Sequence, residues 1–168
     1  NYNQVTARLY TDLGLITARE DITSDVALVF NLLTAHSPEI EFQKLLVAPH
    51  SLMKGTIDRI ERETEHARAR QPAAIIAKMN GLIDPKVIAS LYRASQAGVQ
   101  IDLIVRGVCC LRPGLTNVSD NIRVYSIIGR FLEHSRVFYF ANGGDSEIWA
   151  GSADWMNRNL RGRVEVVF

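Results

Sequence analysis

The chain has 168 residues with 19 basic and 18 acidic side chains, enough for one well-buried domain or a domain plus part of a neighbour. A hydrophobic share of 47% with 22% charged residues is ordinary globular composition, and a net charge of +1 argues against an extended nucleic-acid surface. No apolar run approaches the roughly 18–20 residues that cross a bilayer. The chain opens on Asn-Tyr-Asn with neither an initiator Met nor a signal-like start, which leads us to expect a piece of a longer protein.

Taken in order, Leu9 to Ile16 is a strand candidate interrupted by Gly14. Thr23 is expected to cap a helix with Ser24 and Asp25 in its first turn, and Val26, Val29, Phe30 and Leu33 fall on one face of it. Ala35-His36-Ser37-Pro38 breaks that helix, and the polar run to Glu41 reads as a boundary. Lys44 to Ala48 is a short strand stopped at Pro49. Ser51 is expected to cap a long helix striped by Met53, Ile57, Ile60, Thr64 and Ala67, with Glu61, Glu63, Glu65, Arg68 and Arg70 mostly solvated and Pro72 ending it.

Ala73 to Met79 is nearly all apolar, which predicts a strand buried on both faces. Asp84-Pro85 is an N-cap followed by Pro at the first helical position. Val87, Ile88, Leu91 and Tyr92 give that helix its buried face, and Gly98 its C-cap. Val99 to Val105 is another strand. Residues 42–106 therefore alternate strand and helix in the manner of a parallel α/β sheet. A loop over 107–121 with a Pro113-Gly114 turn, a strand over Ile122–Ile127, a hairpin within 131–155 and a final strand Val164–Phe168 complete the expectation.

Ligands of open α/β sheets sit at the carboxyl ends of strands. One strand here ends in Lys78-Met79-Asn80-Gly81 and another in Arg106-Gly107. Lys78 and Asn80 also fit ordinary loop polarity, and Arg106 fits a surface ion pair. The hairpin carries His134, then Arg136, then an apolar strand, a Gly-Gly turn and a second strand ending Gly151-Ser152-x-Asp154. A histidine can give or take a proton near neutrality, and a guanidinium grips phosphate with two donors. Fifteen of the 19 basic residues are Arg, and after Arg106 there are seven more Arg and no Lys; genomic base composition accounts for such a bias equally well.

These features suit a phosphate site. Arg158, Arg161 and Arg163 lie just before the last strand, either as a solvated turn or within reach of an anion. His36, His50 and His66 are read as structural. No two histidines have metal-ligand spacing, so a protein zinc site is not supported. Cys109 and Cys110 are adjacent, unsuited to a disulfide framework, and fit a reducing, cytoplasmic compartment.

His134-x-Arg136 followed by Gly151-Ser152-x-Asp154 resembles the phospholipase D half-motif, with Arg136 for its Lys, Ala141 at its Asp position and Asp154 for its Asn. The segments Ala7–Thr17, Ile104–Gly114, Ser119–Ile127, Phe131–Asp145 and Ser152–Asn159 resemble the C-terminal half of bacterial polyphosphate kinase, over essentially the whole chain and in order. That resemblance implies an α/β fold, a phospholipase-D-like mixed sheet flanked by helices. Residues 1–41 would be the end of a first such domain and 42–168 a second, truncated at its C-terminus.

In that family ATP phosphorylates a histidine, which passes the phosphoryl group to polyphosphate in a reversible transfer. That histidine would lie upstream of Asn1, as would the residues associated with Mg2+, so no metal ligand is carried over and the fragment alone is expected to be inactive. The resemblance places nucleotide or phosphate contacts on Tyr10, Arg106, His134 and Arg163, with His134 also catalytic. It implies ATP/ADP and inorganic polyphosphate as partners, no nucleic acid, no transmembrane segment, and a homo-oligomer in the full-length protein that is cytoplasmic, with membrane association left open. Two other readings remain at this point: a phospholipase-D-type phosphodiesterase half-site, and a non-catalytic module that binds polyphosphate or nucleotide.

Overall fold

The computed structural model describes residues 3–34 and 41–168. Its centre is a seven-stranded mixed sheet. In chain order the elements are β1 (Tyr10–Thr11), α1 (Glu20–Thr34), β2 (Leu46–Ala48), α2 (Leu52–Arg68), β3 (Ala74–Met79), α3 (Pro85–Gln96), β4 (Gln100–Val105), β5 (Ile122–Tyr125), β6 (Leu132–Glu133), β7 (Arg136–Phe140), β8 (Glu147–Gly151) and β9 (Glu165–Val167). The large sheet runs β2-β9-β8-β7-β3-β4-β5, and β1 pairs with β6 in a separate two-stranded ladder.

Alternation along the strands divides the side chains between two faces. Ile75, Ala77 and Met79 of β3, Ile101, Leu103 and Val105 of β4, and Phe138 and Phe140 of β7 form one core with Leu52 and Ile60 of α2 and Val87, Leu91 and Ala94 of α3. Val47 and Val166, opposite one another in the β2–β9 register, point the other way and pack with Val29 of α1, Leu45 and Phe168. Helices therefore flank both faces, α1 at the β2–β9 end and α2 and α3 beneath the middle.

Several elements differ from the sequence reading. Of the strands expected to run parallel over 42–106, β3 and β4 do, but β2 lies at the far edge, antiparallel to β9; β5 adds a further parallel strand beside β4. The hairpin strands β7 and β8 intervene because β7 pairs antiparallel with β3. Strand β3 is not buried on both faces: Ile76 is 42% exposed on the side that α2 and α3 do not cover. The expected strand over Leu9–Ile16 shrinks to two residues, since β6 offers partners only to Tyr10 and Thr11.

Helix α1 starts at Glu20, so Thr23 is not its cap; its hydroxyl donates back to the Arg19 carbonyl at 3.1 Å. Of the predicted apolar face of α1, Val29 is buried while Val26, Phe30 and Leu33 are exposed. The expected break at Ala35–Pro38 and most of the boundary to Glu41 lie outside the described residues. Ser51 precedes α2 without capping it through its side chain; the hydroxyl accepts from the Val47 amide at 2.9 Å. Glu63 is fully buried rather than solvated, and accepts from the amides of Ala74 (3.1 Å) and Asn142 (2.8 Å). The Asp84 cap with Pro85 behind it is as expected, with the carboxylate accepting from Lys86 and Val87.

Candidate functional site

The carboxyl ends of β3 and β4, the start of β7 and the end of β8 meet at one end of the sheet. Arg136 faces Gly151 across the β7–β8 ladder, and Lys78 faces Val137 across β3–β7. Gly151 is required here. A Cβ at that position would overlap the Val166 carbonyl oxygen and the Val167 Cα, both backbone atoms that could move only by parting β8 from β9.

The two-stranded ladder brings the N-terminal arm to this end. Tyr10 pairs with Leu132 and Thr11 with Glu133, and the His134 amide donates to the Thr11 carbonyl at 3.0 Å. The next residues along each strand are then neighbours. The His134 Nδ1 lies 2.7 Å from Asp12 Oδ2, and the Tyr10 ring meets the imidazole edge-on at 5.2 Å between centroids. His134 is half-buried and opens on a cleft of about 580 Å³ walled by Asp12 to Leu15, Arg136, Gly151, Ser152 and Phe168.

Arg136 is not a free cation. Its Nε and Nη2 each donate at 3.2 Å to the carboxylate of Asp154, which is 4% exposed, and Nη1 donates to the His134 carbonyl at 2.9 Å. Asp154 also accepts from the Asn80 amide at 2.7 Å and from its side-chain amide at 3.2 Å. A buried ion pair with this many bonds fixes the hairpin to the end of β3 and leaves little unbalanced charge.

Arg106 lies at the end of β4, where its Nη1 donates to the Glu133 carbonyl at 3.4 Å. It lines a narrow recess with Lys78, Met79, Ile104, Ile127 and Glu133. Lys78 holds the floor of that recess through Ser135 Oγ (2.6 Å) and Glu133 (3.3 Å). Arg106 and His134 are thus at the same sheet end, linked through Glu133, with neither sealed in hydrocarbon, but they line different recesses, and the one at Arg106 is too tight to admit a water-sized group. Arg163 is exposed in the turn before β9, and no hydrogen bond among the described residues ties it to His134 or Arg106.

Nearby, the Ser152 hydroxyl donates to Glu165, which also accepts from Asn159 Nδ2 at 2.6 Å. Sequence reasoning named neither Asp12 nor the Arg136–Asp154 lock. Asp12 is 122 residues from its partner, and only the parallel β1–β6 register reveals the pairing. The thiols of Cys109 and Cys110 are free. Burial pushes Cys109 above the usual thiol range, the opposite of what a reactive thiolate needs. Among the described residues no group of three or more His, Cys, Asp or Glu is placed to hold a metal ion, and Asp12 and Asp154 are both engaged. Among the described residues the carboxylates at this end are taken up by His134 and Arg136 and do not fit Mg2+. No helix among the described residues is long and apolar enough to cross a membrane.

Comparison with known proteins shows which chains this one resembles. Residues 45–168 match the model of polyphosphate kinase C-terminal domain 2, and residues 1–39 match that of C-terminal domain 1. The chain is 60% identical to polyphosphate kinase of Synechocystis sp. over 167 residues, and 56% identical to that of Pseudomonas putida over 168. It spans 23% of the length of each. It superposes on the crystal structure of polyphosphate kinase from Porphyromonas gingivalis with a TM-score of 0.94 at 47% identity, covering 99% of this chain and 26% of that one. Nuc, a phospholipase D family member from Salmonella typhimurium, shares the fold at 13% identity and a TM-score of 0.51, over 74% of this chain and 78% of Nuc.

Proposed function

Because the chain belongs to the polyphosphate kinase C-terminal domain family, we propose that it supplies one half of a phosphoryl-transfer site, moving the terminal phosphoryl group of ATP reversibly onto polyphosphate. Residues 1–41 serve as the end of a first phospholipase-D-like domain and 42–168 as a second. The nucleophilic histidine and the Mg2+ ligands lie elsewhere in the longer protein, which is cytoplasmic and homo-oligomeric.

Phosphoryl transfer asks the protein for in-line positioning and fixed positive charge, and for little covalent chemistry. Arg106 supplies the forked cation, His134 a group that binds or protonates a phosphoryl oxygen, and Tyr10 an aromatic ring for the nucleotide. The observation that carries this reading is the clustering of all three at one sheet end: Tyr10 against the His134 ring at 5.2 Å, and Arg106 bonded to the carbonyl that precedes His134. Arg163 stands at that end as a further phosphate contact. The phosphodiesterase alternative needs a free cation at position 136, and Arg136 is instead committed to Asp154.

Grafting this chain into the Synechocystis kinase, in place of the 167 residues it matches, gives a full-length enzyme for the test. Arg106→Ala in the graft should lower kcat/KM for ATP by about 100-fold, the usual scale for losing one positioned charge at a phosphoryl centre. Kinetics identical to the parent would reduce Arg106 to a structural cation.

A further inference from the structure

We infer that Lys78 is a positioning residue for His134: its ammonium clamps the residues on either side of the histidine and so fixes where the imidazole enters the cleft. What the imidazole meets there rests on the reading above; the clamp does not.

His134 and Ser135 form the two-residue link between β6, in the small ladder, and β7, in the large sheet. A link between two sheets has no ladder of its own, so its carbonyls need other donors. Three successive carbonyls here meet three cations. Arg106 Nη1 donates to that of Glu133 at 3.4 Å, Arg136 Nη1 to that of His134 at 2.9 Å, and Lys78 Nζ to that of Ser135 at 3.1 Å. Of the three, Lys78 is the one bound to both neighbours of the histidine. Its Nζ also donates to Ser135 Oγ at 2.6 Å and lies 3.3 Å from Glu133 Oε2.

The stereochemistry selects a lysine. An ammonium carries three donors on one atom and no acceptor, and three acceptors surround Nζ. A guanidinium, whose donors lie in one plane, could not meet all three from a single nitrogen. The three donors are thereby used up, and the recess that Lys78 shares with Arg106 is too tight to admit a water-sized group. The strand-end position that suggests a phosphate ligand in the sequence therefore holds a clamp instead. Strand β3 aims it there by alternation: Lys78 shares with Ile76 the face that α2 and α3 leave open, opposite Val137 of β7. With only 18% of its side chain exposed, the cation is partly desolvated, which the three acceptors offset. Without the ammonium, Glu133 loses its counter-charge and the link is free to shift, and a shift of about 1 Å at a transferring centre costs about 100-fold in rate.

Two measurements test this. In the grafted kinase, Lys78→Met, which keeps the stem and drops the ammonium, should lower kcat by about 100-fold while the KM for ATP changes by no more than about twofold. In the His134→Ala background the same substitution should cost no more than about threefold, because the group it positions is gone. Unchanged kcat in the single variant, or the full further loss in the double one, overturns the inference. Ser135→Ala removes the Oγ acceptor alone and should cost about fivefold, again only when His134 is present; it carries the same test if Lys78→Met does not fold. In the chain itself, labelled with 15N-histidine, Lys78→Met should shift the ring-nitrogen signals of His134 and leave those of the other three histidines in place. A His134 signal that does not move refutes the clamp. Undiminished turnover in His134→Ala would instead sink the function reading, and the NMR shift alone would then decide the clamp.

Discussion

Whether a charged side chain is legible from sequence depends on whether its partner is. Arg136 reads as a phosphate cation, since nothing nearby in sequence neutralises it, yet Asp154 does so across the β7–β8 turn. Glu147 is a comparable case. It accepts a two-bond fork from Arg62 at 2.9 and 3.0 Å and a bond from Trp149 Nε1 at 3.0 Å, with the Arg59 guanidinium stacked 3.9 Å over the same Trp149 ring. The bond from Arg62 holds its carboxyl below the usual range of 4.5, burial opposes it, and Trp149 adds to the lowering. A lowered folded-state value means that the stabilisation is complete above the unfolded value and is lost as pH falls through the folded one. Urea midpoints should therefore fall with Glu147→Gln at pH 7 and converge with the parent in acid; an equal offset at every pH would refute the assignment.

At the scale of elements, local signals worked where a cap or a turn fixed the backbone and failed where a distant backbone needed a partner. Asp84-Pro85 starts α3, and Gly98 follows it at a φ of +102°, a conformation glycine takes without strain. Both were visible as residue types in order. Asp25 was not. It looks like a first-turn acid, but α1 begins five residues earlier, so its carboxylate reaches the amides of Gln43, Lys44 and Leu45 at 3.0, 2.7 and 2.8 Å. Those bonds tie α1 to the approach of β2 and complement the small core of Val29, Leu45 and Val47. Asp25→Ala should cost about 3 kcal/mol, the scale of removing bonds to a buried charge. Hydrogen exchange should show α1 and β2 losing protection before β3, β4 and β7; uniform protection loss would mean that α1 is not separately anchored.

The whole-molecule topology was legible in part. Alternating strands and helices correctly gave β3 and β4 as parallel neighbours, because α3 is a crossover of ordinary length between them; β5, which follows a loop, joins parallel to β4 without that signal. The same logic misplaced β2. A strand of three residues carries too little pattern to choose a neighbour, and the antiparallel β7–β8–β9 block fills the space beside β3. Arg106 and His134 were legible as candidates, since both sit at strand ends. The arm that completes the site was not, because two residues of β1 make the crossing.

The most direct test of the account is the turnover of the grafted kinase carrying His134→Ala, followed as polyphosphate made from ATP alongside its urea midpoint. A group that binds or protonates the transferring phosphoryl should take at least about 100-fold from kcat while the midpoint stays within that of the parent. Turnover close to the parent's, with the fold intact, would contradict a catalytic imidazole at this sheet end.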